Sequence, residues 1–186
     1  MDVMEAVRKR KSIRAYKNTP VDDKTLNTVL EAARLAPSWG NTQTWRFIVV
    51  QDRDIKAKLI KTSLRTGNRG CEAFRQAPIA IVACAEMNRA GCRDGQPVTD
   101  KAGYWFMFDA ALAMQNLVLA AQSLGLGTVY LGGFDARKAG EILSVPADYC
   151  VVAMTPLGYP DEQPEAKPRK EFSEIVFYDR FDNQYH

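Results

Sequence analysis

The sequence predicts an α+β fold, and three observations carry that prediction. Apolar runs suited to buried strands recur at WRFIVVQD (45–52), IAIVACA (79–85) and CVVAMTPLGYP (150–160). Stretches with helical spacing lie between and around them. The order of the two kinds is irregular, unlike a repeating βαβ series. At 186 residues the chain reads as one domain over 1–186, with 159–186 as an extended C-terminal arm.

Residues 2–9 read as a short helix with Val3, Met4 and Val7 on one face. From Arg10 the pattern becomes extended. Side chains then alternate, so Arg10, Ser12 and Arg14 share one face and Lys11, Ile13 and Ala15 the other. Asn18-Thr-Pro-Val is a loop. Asp22 and Asp23 open a helix whose apolar positions are Leu26, Val29, Leu30 and Ala33, with Leu35 as a further candidate, and Pro37 ends it. SWGNTQT is a loop ahead of the first strand. A helix is expected over 53–65, broken by TGNRG, and 86–100 reads as a loop.

Residues 102–124 form one long helix. Its middle, DAALAMQNLVLAAQSL, is apolar on more than one side. Such a helix needs cover on all sides. Its own domain covers one face, and the other points to a partner subunit. At helical spacing Trp105, Phe108 and Leu112 read as core, while Tyr104 and Phe106 are open to a pocket role. Gly125 and Gly127 end the helix. TVYL is a strand, 135–144 a helix, DEQPEAKPRKEFSEI a polar arm, and EIVFYDRF a closing strand.

Composition removes several function classes. A net charge of +3 suits small anionic ligands and does not call for nucleic acid. No signal peptide is visible, and no run approaches the roughly 18 apolar residues of a spanning helix. A soluble cytoplasmic protein without membrane contact is expected. The four cysteines, Cys71, Cys84, Cys92 and Cys150, show no metal or disulfide spacing and read as reduced thiols. Histidine occurs once, at His186, so triads, His-bound zinc and imidazole catalysis are disfavoured. The difficult chemistry of an enzyme like this would belong to a cofactor.

Four segments remain as candidate chemistry. GLGLG follows a helix and opens a strand, the wrong context for a dinucleotide fingerprint. LGGF (131–134) lets a backbone approach a flat ligand, or is a tight turn. APSWGNTQTWRF (36–47) sets Ser38, Asn41 and Gln43 beside two tryptophans. RKRKSIRAY (8–16) and KPRK (167–170) are cationic clusters far apart in sequence, able to converge on one anion or to stand as solvated patches.

Taken in order, RKRKSIRAY, APSWGNTQTWRF, GLGTVYLGGF and KPRKEFSEIV resemble the FMN-dependent nitroreductase family across nearly the whole chain. The resemblance implies a nitroreductase-like homodimer with a central mixed, mostly antiparallel sheet flanked by helices. The C-terminal strand is exchanged with the partner, and FMN lies at the interface. Carried over by position, Arg10 and Ser12 are similar to phosphate ligands, Lys11 to a contact of the ribityl and ring region, and Arg14 to a contact of the pyrimidine edge. Ser38, Asn41 and Gln43 would line the partner's site. Gly132 and Gly133 would offer backbone N–H groups to the ring, and Lys167 and Arg169 resemble the late phosphate-binding pair. Two positions depart from the family pattern: Thr44 stands where proline is usual, and Trp39 is large for its loop. Asn68 is the one match in a region of further flavin contacts.

The implied activity is transfer of hydride from NADH or NADPH to FMN, then of electrons to a small-molecule acceptor such as a nitroaromatic or quinone, in a ping-pong cycle. No catalytic side chain and no metal are implied. Dehalogenation or flavin fragmentation on the same fold, and a non-catalytic flavin-binding protein, stay open. A nucleic-acid binder built on RKRK is the reading of another class.

Overall fold

The computed structural model describes residues 1–62, 64, 67 and 69–184. Asn68, His186 and part of the end of the expected 53–65 helix lie outside the described residues. In chain order the elements are α1 (Val3–Lys9), α2 (Asp23–Arg34), a single 3₁₀ turn (Trp39–Asn41), β1 (Trp45–Val50), α3 (Arg53–Thr62) and α4 (Gly70–Gln76). There follow β2 (Ile79–Glu86), β3 (Cys92–Arg93), β4 (Gln96–Pro97), α5 (Ala102–Ser123), β5 (Gly127–Thr128), α6 (Ala136–Leu143), β6 (Tyr149–Gly158) and α7 (Phe172–Ile175). Three aspartates cap helix starts: Asp2, Asp22 and Asp135 accept the amides of Glu5, Thr25 and Lys138, and the Asp22 cap opens the helix that the acids at 22 and 23 predict.

The main sheet has the order β1-β2-β6-β5, and its strands pair antiparallel. The period-2 alternation of β2 divides the core in two. Ile79, Ile81 and Ala83 pack with Val29 of α2 and Leu117 and Val118 of α5. Ala80, Val82 and Cys84 pack on the opposite face with Leu59, Phe74 and Ala139, which come from α3, α4 and α6. Helices thus cover both faces, and α5 also carries α1.

Several elements differ from the sequence expectation. Residues 70–76, unassigned by the sequence, form α4, because Gly70, Ala73 and Phe74 share one buried face. The loop over 86–100 contains the β3–β4 hairpin. The TVYL strand shrinks to Gly127–Thr128, followed by a bridge from Leu131 to Met154. Phe108 is 54% exposed instead of core, since it faces away from the sheet, and Tyr104 is 73% exposed. EIVFYDRF forms no strand within its own chain. A capping box between Glu171 and Glu174 starts α7 instead, and Phe181 stays 85% exposed.

Two extended segments position the site. Residues 10–16 run beside β5: the Ile13 amide donates to the Thr128 carbonyl at 2.9 Å, and Ser12 pairs with Thr128 in parallel. The side of Gly127 explains its glycine. A Cβ there would stand 2.8 Å from Ile13 Cβ, so only hydrogen permits the approach. On their other edge residues 14–17 receive the chain leaving β6. Lys17 donates to Tyr159 O and Asp161 donates to Ala15 O, both at 2.9 Å, and Tyr16 bridges Pro160.

Candidate functional site

The return of the arm along residues 14–17 brings the two cationic clusters together. Arg10, Lys11, Ser12 and Arg14 line a cavity of about 520 Å³ whose opposite wall includes Lys167 and Arg169. The two-residue alternation alone does not decide which side chains reach it: Lys11, which shares the Ile13 face in that pattern, lines the cavity beside Arg10, Ser12 and Arg14, as does Arg8 of α1. Ile13 is buried and anchors the segment in the core, which turns its neighbours outward. Arg8 and Lys9 close α1, where cations suit the helix dipole, and Lys9 pairs with Glu5 at 2.6 Å. The acidic residue on the cavity wall is Glu165. No salt bridge is recorded for Arg10, Arg14, Lys167 or Arg169 among the described residues.

Arg10 also acts on Tyr130, two residues beyond β5. Burial pushes the Tyr130 hydroxyl up to about 12, against the nearby Arg10 cation, which pulls it down. That hydroxyl donates to Gln115 Oε1 at 3.3 Å. Tyr130 leads into Leu131, Gly132 and Gly133. Gly132 is exposed, and a Cβ added to it would meet nothing within 4 Å. The space beside Gly132 is open.

Ser38, Asn41 and Gln43 do not line this cavity in their own chain. They form a second group, braced by mutual hydrogen bonds. Ser38 Oγ accepts the Gln43 amide at 2.9 Å, and Gln43 Nε2 donates to Asn41 Oδ1 at 3.1 Å. Gly40, Asn41 and Gln43 all hold positive φ, at 50°, 56° and 48°. Left-handed backbone at a glutamine is costly and is held by its surroundings. The brace includes Asp109 of α5. Its side chain is 1% exposed, and both carboxylate oxygens accept the Trp39 amide, at 3.0 and 3.1 Å. Burial raises the Asp109 pKa, and the Trp39 amide opposes that rise. A lone acid inside the apolar run FMFDAALA was the available signal.

Thr44, at the position where proline was expected, has its hydroxyl buried with no hydrogen-bond partner. The four cysteines are free thiols, and burial raises the pKa of Cys71, Cys84 and Cys150. No cluster of potential metal ligands occurs among the described residues. No helix among them is long and apolar enough to cross a membrane.

Known proteins share both the sequence and the fold. The Nitroreductase family profile matches residues 7–159. The NAD(P)H FMN reductase of Bacillus subtilis (strain 168) is 30% identical over 178 residues, covering 90% of this chain and 70% of that protein. A nitroreductase family protein from Clostridium novyi NT superposes with a TM-score of 0.77 at 31% identity, covering all of this chain and 97% of the other. The NADPH:FMN oxidoreductase of Vibrio harveyi, solved in complex with NAD+, gives a TM-score of 0.84 at 27% identity, covering 98% of this chain and 79% of that one. The match runs from the end of α1 through β6, and so includes the cationic segment, the braced 38–43 loop and the LGGF turn. The chain belongs to the nitroreductase family.

Proposed function

We propose that the protein is an FMN-dependent oxidoreductase that takes electrons from NADH or NADPH and passes them to a small organic acceptor such as a nitroaromatic or quinone. The observation that carries this reading is the cavity shared by Arg10, Lys11, Ser12 and Arg14 with Lys167 and Arg169. Its donor set fits a phosphate monoester. Such a group carries close to two negative charges, and guanidinium forks match its oxygens in pairs. Arg10 and Arg169 would hold the phosphate, with Ser12 donating a hydroxyl and Lys11 and Lys167 adding charge. Arg14, further along the segment, would favour negative charge at the edge of the ring system. FMN, when bound, supplies the electron transfer.

The enzyme works as a homodimer in this reading. Ser38, Asn41 and Gln43 are preorganised yet remote from their own chain's cavity, as residues serving a partner's site would be. Tyr104, Met107 and Phe108 of α5, and Phe172, Ile175, Tyr178 and Phe181 of the arm, are exposed apolar side chains that a second subunit would cover. The arm would pair with the partner's sheet. A cytoplasmic location goes with the free thiols, which persist where the compartment is reducing.

The test is direct. Purified protein is expected to show, or to acquire on reconstitution, the visible spectrum of FMN, and to bleach when NADH or NADPH is added without oxygen. A protein that cannot be reconstituted with FMN overturns the proposal. A flavin spectrum that neither pyridine nucleotide bleaches would instead make it a flavin-binding protein without this activity.

A further inference from the structure

The cationic cavity is assembled from two segments about 155 residues apart in sequence, and the contact that joins them nearest the cavity is acidic. The Arg14 amide donates to the carboxylate of Glu162. Lys17 and Asp161 continue the same pairing through backbone bonds of 2.9 Å each. Beyond Glu162 the arm makes no further backbone bond to residues 10–17 among the described residues, and Pro164, Glu165, Ala166, Lys167 and Arg169 then form the far wall of the cavity. We infer that Glu162 is a positioning residue: it clamps the C-terminal arm onto the 10–16 segment, and its negative charge tempers the affinity of the adjoining cavity for anions.

Three observations support both halves. Glu162 makes the last hydrogen bond from the arm to residues 10–17 among the described residues, so it sets the direction in which Lys167 and Arg169 approach Arg10. Its charge is felt nearby. Tyr16, whose hydroxyl donates to Ile13 O at 2.7 Å, is raised well above its ordinary range by burial first and by Glu162 second, while Arg14 pulls it down. Glu162 also lines a second cavity, of about 1020 Å³, which shares Lys11 and Pro164 with the first. A carboxylate beside lysine-bearing walls offsets part of their positive field. The role rests on the anion-binding reading of the cavity only for its second half.

Two variants separate the clamp from the charge. Glu162→Gln keeps an acceptor for the Arg14 amide and removes the charge. Glu162→Ala removes both. Hydrogen exchange of individual amides reads the clamp without any ligand. In Glu162→Ala the Arg14, Lys17 and Asp161 amides are expected to exchange at least tenfold faster, while β2 amides hold their protection. In Glu162→Gln they are expected to stay within threefold of wild type. Unchanged exchange in Glu162→Ala overturns the clamp, whether or not FMN binds. Titration with FMN at low salt reads the charge. Glu162→Gln is expected to bind FMN at least threefold more tightly than wild type, and Glu162→Ala at least tenfold more weakly. Unchanged or weaker binding in Glu162→Gln overturns the charge role. If wild type itself binds no FMN, the functional proposal fails while the exchange result still decides the clamp.

Discussion

The Asp109 carboxylate on α5 accepts the backbone amide of Trp39, 70 residues earlier, through both of its oxygens. That one contact ties the 38–43 loop to the longest helix of the fold. It also fixes a loop whose backbone is held at positive φ in three of its residues, Gly40, Asn41 and Gln43.

Asp109→Ala leaves the Trp39 amide without its partner, and an unsatisfied buried donor costs about 1–3 kcal/mol. Chemical denaturation is expected to show a loss of that size. Asp109→Asn keeps an acceptor and removes the charge, which gives a pH signature. The Asp109 pKa is raised in the folded state, so folded protein holds the proton where unfolded chain has released it. Stability from this group is present at low pH and is lost as pH rises from the ordinary carboxylate range through the raised value. Asp109→Asn lacks that loss. Its stability relative to wild type is therefore expected to rise across the same window, and equal pH slopes in the two proteins would refute the assignment.

Arg10→Ala combined with Arg169→Ala removes a guanidinium from each wall of the cavity. Charge-assisted hydrogen bonds contribute about 1.5–3 kcal/mol each. FMN affinity, followed by quenching of flavin fluorescence, is expected to fall at least a hundredfold. The unfolding midpoint should barely move, because neither side chain is part of the core. Unchanged affinity would show that these walls do not hold the phosphate.

Gly127→Ala drives a Cβ to 2.8 Å from Ile13, and overpacking of this kind costs about 1–3 kcal/mol. Since Ile13 anchors the segment that carries Arg10, Ser12 and Arg14, FMN binding should weaken as well. Ile13→Val trims the facing side chain. The double variant is expected to recover part of both losses, a coupling that a double-mutant cycle measures.

Thr44→Val removes a buried hydroxyl that has no partner and keeps the shape of the side chain. A stability gain of about 1 kcal/mol is expected by thermal or denaturant unfolding. A loss would mean that the hydroxyl is paired in the assembled protein.

The strands at 45–50, 79–86 and 149–158 were legible because each is a dense apolar run, and β2 is buried on both faces. The closing EIVFYDRF run reads as a strand, and within its own chain it forms none. Its apolar residues meet no sheet edge there, and the local capping box at Glu171 and Glu174 prevails. α4, about two turns long, does not register because its buried face, Gly70, Ala73 and Phe74, carries one large apolar side chain. Asp109 and Glu162 went unassigned for another reason. Their partners are backbone amides, and a backbone amide leaves no mark in sequence.

The sequence alone made legible the family and the anchoring of residues 10–14 by Ile13, since these follow from residue identity and a two-residue period. Only the tertiary structure decided that RKRKSIR and KPRK share one cavity. That depends on how the chain leaves β6, pairs with residues 14–17 and is held at Glu162, a path set by hydrogen bonds between segments that local propensity cannot relate. It also decided that Ser38, Asn41 and Gln43 stand apart from that cavity in their own chain, because Asp109 holds their loop against α5.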